Sequence, residues 1–278
     1  MLADIQMASE SFCMDAAARF VLSANLSEET GLNDLESTRL ALRYYERHLD
    51  AARREGLHSP EALSLTPDML LELHQALMYG SKHVGGQLRA GQAQAGQPGT
   101  SKLHIYPGPD GLEDMLLAVC DRFNQALGSI SPKQAESIPQ LYRLAAVLFV
   151  EFVTVHPFSD GNGRLGRILA SHVLRGVTPF PVTPFADGTV ATRSVFIKAI
   201  TAGRGEKQRN FLQLGAPCDF AALLIEAGWD SWQQYQCAVN RAVQVPRSPS
   251  TSLINCEVSF SPVVRMVHDS MCATGFTS

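Results

Sequence analysis

Residues 156–167 read HPFSDGNGRLGR, and the fold turns on how that stretch is read. A long apolar run, Pro139 to Val155, leads into it, and an amphipathic run, Arg164 to Leu174, leads out. Runs of that length and pattern point to helices, so the stretch is a turn between two of them. Gly161, Asn162 and Gly163 tolerate the positive-φ conformations that a β-carbon penalises, which lets successive backbone N–H groups converge into an anion-binding nest. The helix that starts there adds N–H donors and about half a positive charge at its first turn. Arg164 and Arg167 fall on one helix face and lean back toward that N-terminus. Such a place suits phosphate. His156 is the side chain of the stretch that readily accepts a proton near neutral pH. Asp160 is a hard oxygen ligand where a polyphosphate-bound magnesium ion would be held. Phe158 and Pro157 read as an apolar plug and a rigid entry to the turn. Base, metal ligand, phosphate cradle and two arginines together imply nucleotide chemistry.

The segment GNGRLG also fits the dinucleotide fingerprint G-x-G-x-x-G. Three features oppose that reading. The preceding run is too long for a buried strand, and Pro139 suits the first turn of a helix. Pro157 interrupts the approach to the glycines. Val177 to Pro184 is proline-rich where a second parallel strand would have to come. The chain holds neither a G-x-x-x-x-G-K-S/T phosphate loop nor an H-E-x-x-H metal motif. His74, His83 and His104 have no second ligand at metal spacing and read as structural or surface residues.

Every fixed position of HPFSDGNGRLGR matches the signature H-P-F-x-D/E-G-N-G-R-x-x-R, so the chain resembles the Fic-domain family over roughly residues 66 to 215. The resemblance implies an all-α fold, a Fic-type helical bundle with a short β-hairpin flap. It implies an adenylyltransferase that moves AMP from ATP, with Mg²⁺, to a Ser, Thr or Tyr hydroxyl of a target protein. His156 would be the general base and Asp160 the metal ligand. Gly161, Asn162 and Gly163 would cradle the α- and β-phosphates, and Arg164 and Arg167 would bind the β- and γ-phosphates. Transfer of UMP, GMP or phosphocholine, or a silent interaction module, are the alternatives; the last would predict erosion of His156 or Asp160, and both are present. The expected partners are the target, the chain itself as acceptor, and a homodimer mate or inhibitory chain.

In relatives of this kind a flap clamps the target by strand addition. Here the glycine- and glutamine-rich segment from Gly85 to Pro109 holds the matching pattern. Its arms would run from Leu88 to Gln94 and from Leu103 to Tyr106, with Leu88, Arg89, Ile105 and Tyr106 facing the target. A mobile surface loop is the plainer reading. Many family members carry an inhibitory S/T-x-x-x-E-G/N helix, but no glutamate here has Ser or Thr four residues before it. In LSANLSEETG, Ser27 occupies the acid position, which leaves Glu28 and Glu29 as the candidate inhibitory acids. Either the site is constitutively open or another chain or loop restrains it, and removal of AMP is equally in question.

The remaining sequence sets bounds. At 278 residues and 45% hydrophobic, the chain can bury a sizeable core as one domain with additions, or as two small domains. A net charge of -4 leaves no electrostatic footprint for nucleic acid or an acidic membrane. Six cysteines without a C-x-x-C pair favour reduced thiols, and the first residues lack a basic n-region, so a cytoplasmic protein is expected. Residues 144–155 come closest to a membrane span, but Glu151 interrupts them.

Taken in order, 1–65 form an N-terminal helical accessory region, with helices from Ser9 to Leu26 and from Leu35 to Glu55. Residues 66–215 are the core. Thr66, Pro67 and Asp68 open a helix running to about Tyr79 and closed by Gly80. Leu112 to Leu127 is another, stopped by Gly128, and Thr192 to Ala202 a third. Residues 216–244 form one or two further helices, Asp219 to Ala227 and Trp229 to Val243. Residues 245–278 read as a linker and a weakly ordered tail.

Overall fold

A helix that is apolar nearly all round has no face to give to water, and here it becomes the axis of the bundle. The computed structural model describes residues 2–26, 38, 40, 41, 43, 63–81, 84–96, 103–130, 137–175, 177–182, 190–205 and 218–244. Within them the elements are α1 (Leu2–Leu26), α2 (Pro67–Leu77), β1 (Gln94–Gly96), β2 (Leu103–Ile105), α3 (Leu112–Gly128), α4 (Ser137–Val155), α5 (Asn162–Leu174), α6 (Val190–Gly205) and α7 (Cys218–Gln244). The fold is all-α, with a single two-stranded hairpin among the described residues. α4 packs on α3, α5, α6 and α7 at once. It is long and apolar enough to cross a membrane, yet Leu144, Ala145, Leu148, Phe149 and Phe152 are all buried inside the bundle.

The α4–α5 contact is the closest of these. A β-carbon on Gly166 would lie 3.0 Å from Cε2 of Phe149 and 3.2 Å from Cγ1 of Val153, so glycine lets the two helices approach. α2 starts as its sequence predicts. Thr66 is extended (φ -123, ψ 154), its hydroxyl accepts from the Met69 N–H, and Pro67 sits in the first turn. The α-helical part ends at Leu77, and Gly80 (φ 77) completes the turn out of it. Asn124 of α3 holds the preceding segment through both backbone groups of Leu65, each at 2.8 Å. α1 lies on α7, where Phe12 meets Phe180 and Tyr235 edge-on and Ser9 bonds the Tyr235 hydroxyl at 2.9 Å.

Two expectations need correction, and one alternative is decided. α1 begins at Leu2, not Ser9. Of the one or two helices expected over 216–244, one is found, because α7 runs unbroken through Gly228. A β-carbon there would collide with the Tyr142 hydroxyl of α4, so the glycine is a packing device within one helix. The hairpin pairs Gln94 with Ile105, Ala95 with His104 and Gly96 with Leu103, so its first arm starts at Gln94 and not at Leu88. The expected helix over 35–55 falls almost wholly, and Glu28, Glu29 and the tail 245–278 wholly, outside the described residues.

Candidate active site

The turn opens where α4 stops. His156 still donates its N–H to the Phe152 carbonyl at 3.0 Å, then takes φ 51, the left-handed conformation in which helices often end. That place usually falls to glycine or asparagine, because a β-carbon there costs about 1–2 kcal/mol. Pro157 reinforces the exit, since the residue before a proline is driven out of the right-handed helical region. Arg89 then fixes the bend. Its Nε donates to the His156 carbonyl at 2.7 Å, and its backbone N–H to the Pro157 carbonyl at 2.9 Å. Nη1 and Nη2 reach the carbonyls of Gly91 (2.7 Å) and Pro107 (2.6 Å) on the two approaches to the hairpin. Arg89 is 4% exposed, and burial holds its pKa below the ordinary arginine value. The flap position expected to touch a target is therefore an internal clamp.

Beneath the turn lies a packed floor. Phe158 is fully buried and stacks on the His74 ring at 3.7 Å and 9°. The Asn162 side chain accepts from the Phe158 N–H at 3.0 Å and donates to the Phe158 carbonyl at 2.7 Å. His74 Nδ1 accepts from the Gly86 N–H at 3.0 Å. Nε2 must then carry the proton, and it donates to the Asp160 carbonyl at 3.0 Å. Burial pushes the His74 pKa down to about 4, so the ring is neutral. Gly161 (φ 77) is the one glycine of the motif at positive φ, and a β-carbon on it would press Met78 Sδ at 3.0 Å. Asn162 and Gly163, expected to share that conformation, instead form the first turn of α5. The reason is the amide of Asn162, which holds the turn from inside the helix.

The charged groups gather at this N-terminus. Asp160 Oδ1 accepts from the Gly161 N–H at 2.7 Å, and Oδ2 lies 3.5 Å from Nη2 of Arg164, with the carboxylate side chain 42% exposed. Arg164 and Arg167 are 1% and 2% exposed. Arg164 also reaches Met78 Sδ at 3.8 Å, and the Arg167 guanidinium lies over the Phe196 ring, 4.9 Å from its centre. The stretch 156–167 thus brings two buried guanidinium groups and a helix N-terminus against its single acid, Asp160. An anion at the first turn of α5 complements that arrangement.

The hairpin meets the turn through Tyr106, whose ring stacks on His156 at 3.8 Å and 19°. Tyr106 is buried, not turned outward as the flap reading expected. Leu88 likewise packs partly buried against the core. Ile105 does face solvent, at 66% exposure. Four residues that hold the site escaped the sequence reading in this role: His74, Met78, Arg89 and Arg204. None carries a local signal, because each meets the turn only through the tertiary fold.

Comparison with known proteins gives a consistent picture. Residues 64–174 match the sequence pattern of the Fic/DOC family. The chain is 39% identical over 92 residues to a Fido domain-containing protein of Dictyostelium discoideum. It is 34% identical over 125 residues to a protein adenylyltransferase Fic of Nematostella vectensis. It is 32% identical over 139 residues to a uridine 5'-monophosphate transferase of Xanthomonas campestris. These matches cover 33%, 45% and 47% of the chain and span 59%, 26% and 25% of the relatives. A Fic domain containing signaling protein from Bacteroides thetaiotaomicron shares the fold, with a TM-score of 0.63 at 15% identity over 90% of this chain and 94% of that one.

Proposed function

Because the chain belongs to the Fic/DOC family through residues 64–174, we propose that it is a protein adenylyltransferase. It would move AMP from ATP to a Ser, Thr or Tyr hydroxyl of a target protein. The observation that carries the reading is the placement of His156 and the Arg164–Arg167 pair at opposite ends of one rigid turn, with the N-terminus of α5 between them.

His156 accepts the proton of the acceptor hydroxyl as its oxygen attacks the α-phosphorus. The bond from that phosphorus to the bridging oxygen breaks, and pyrophosphate leaves. The α5 N-terminus, with Gly161 and Gly163, receives the inner phosphates, and Arg164 and Arg167 receive the outer ones. Asp160 fits a magnesium ion, because its carboxylate is partly exposed beside the cradle and is a hard oxygen donor. No group of three or more metal-binding side chains occurs among the described residues. Phosphate oxygens and water would therefore complete the shell, as Mg²⁺ prefers, and the ion would neutralise charge on the triphosphate. Ile105 and the other residues of the hairpin present a strand to which target backbone can add.

A second reading keeps the phosphate chemistry and changes the base, as the uridine 5'-monophosphate transferase relative suggests. One experiment separates these. The full chain is incubated with Mg²⁺ and ATP, UTP, GTP or a phosphocholine donor, with itself and a cell extract as acceptors. A mass gain of one AMP is the expected result. His156→Ala should retain ATP binding by calorimetry and lose transfer by about 10²- to 10⁴-fold. Undiminished transfer by that variant would remove His156 from the mechanism.

A further inference from the structure

The hairpin does more than border the turn. Tyr106 is fixed at every level: its N–H donates to the Ala93 carbonyl at 3.1 Å, and its carbonyl accepts from Gln92 Nε2 at 2.6 Å. His104 meets its ring edge-on at 4.7 Å and 86°. One face lies on the His156 imidazole at 3.8 Å. The Arg204 guanidinium sits above the ring, 5.2 Å from its centre. Arg204 Nη2 lies 3.3 Å from the Tyr106 hydroxyl and 3.3 Å from the Val153 carbonyl, so it joins α6 to both the hairpin and the last turn of α4. The phenol ring thus meets both the Arg204 guanidinium and the His156 imidazole.

We propose that Tyr106, held by Arg204, is the positioning residue that sets the plane of the His156 ring. This rests on the assignment of His156 as the base. A histidine at a helix end has two side-chain torsions, and its backbone bonds restrain neither of them. Stacking within 19° of parallel does restrain the ring. Proton transfer demands placement of the base to within a fraction of an ångström, and a displacement of about 1 Å can cost 10²-fold. Arg204 contributes by keeping the phenol from tilting away, through a cation–π contact and a hydrogen bond. Since Ile105 precedes Tyr106 directly, the strand that would receive a target leads straight into the residue that orients the base.

The test follows the imidazole itself before it follows activity. Protein labelled with ¹³C and ¹⁵N in histidine is compared by NMR, with the His156 ring signals assigned by their loss in His156→Ala. The face of Tyr106 should shift those signals upfield. Tyr106→Phe keeps the stack and should keep the shift, with kcat within about threefold. Tyr106→Leu keeps an apolar anchor without the ring and should lose the shift, with kcat falling ~10- to 100-fold and KM for ATP unchanged. Arg204→Gln leaves the hairpin intact and should move the signals partway toward their unstacked position, with a smaller loss of kcat. Unshifted signals in the parent protein would overturn the proposal, as would a Tyr106→Leu variant that retains either the shift or full kcat. If the shift behaves as expected but the parent transfers no nucleotide, the proposed function fails while the positioning of the ring stands.

Discussion

Two histidines lie on opposite sides of the same turn, and they are held in opposite ways. On the inner side, both ring nitrogens of His74 are committed to backbone, one to the Gly86 N–H and one to the Asp160 carbonyl. On the outer side, His156 is held through its own carbonyl and the face of its ring. A histidine whose edges are fully spent on structure is a strut. One gripped by its backbone and by the face of its ring has its plane set by stacking, a mode of restraint that suits the general base proposed for it. The residue type is the same, and the mode of restraint separates the roles.

The sharpest way to break this contrast is to remove what holds the outer side. Arg89 satisfies the carbonyls of His156, Gly91 and Pro107 from within the protein. Arg89→Met should cost about 3–5 kcal/mol, because buried carbonyls lose a charged donor. That corresponds to a fall on the order of 10 °C in Tm, read by calorimetry. If Arg89 served only to contact a target, the same variant would melt like the parent and lose only transfer.

The inner side has a pH signature. His74 titrates near 4 in the folded chain, against 6.5 for the group at its ordinary value. Burial is the main cause; the Arg164 charge adds to it, while the hydrogen bond to Asp160 and that residue's charge act the other way. Between those two values the unfolded chain binds the extra proton, so stability rises with pH across the window. The contribution of His74 is complete above pH 6.5 and is lost as pH falls toward about 4, roughly 3 kcal/mol in all. Denaturant unfolding of the parent and of His74→Gln, compared from pH 4 to 7.5, isolates it. The gap between the two should shrink as the pH drops. A gap that stays constant would mean that the neutral ring is not what His74 supplies.

These two sides also mark where the sequence was informative. The helix–turn–helix over 139–174 could be read directly, because glycine, proline and apolar periodicity act over a few residues. Thr66, Pro67 and Asp68 announced α2 for the same reason. What holds the turn could not be read that way. Arg89 and His156 are 67 positions apart, His74 and Asp160 86, and Tyr106 and Arg204 98. Gly228 left one helix or two open, because a mid-helix glycine normally costs about 1 kcal/mol and the Tyr142 hydroxyl that demands it lies on another helix. Positive φ was expected at Gly161, Asn162 and Gly163; within the stretch it occurs at Gly161 and at His156. Local rules rank asparagine and glycine above histidine for that conformation, and they take no account of Arg89 and Tyr106.

That misplaced torsion carries the smallest and most specific prediction. A non-glycine residue at φ 51 holds strain that the surroundings must offset. Replacing His156 removes the imidazole whether the substitute is alanine or glycine, so both variants lose the Tyr106 stack and both should be inactive in transfer. They differ in the backbone alone. Glycine enters the left-handed region freely, although it also widens the unfolded ensemble, which works against it. The left-handed penalty of about 1–2 kcal/mol exceeds the entropic term of about 0.4–1. His156→Gly should therefore be more stable than His156→Ala by roughly 0.5–1 kcal/mol, measured by chemical denaturation at neutral pH. Equal stabilities would mean that the end of α4 relaxes once the imidazole is gone. The strain at His156 would then be a consequence of the side chain's grip on Tyr106, and not a property of the bend that Arg89 imposes.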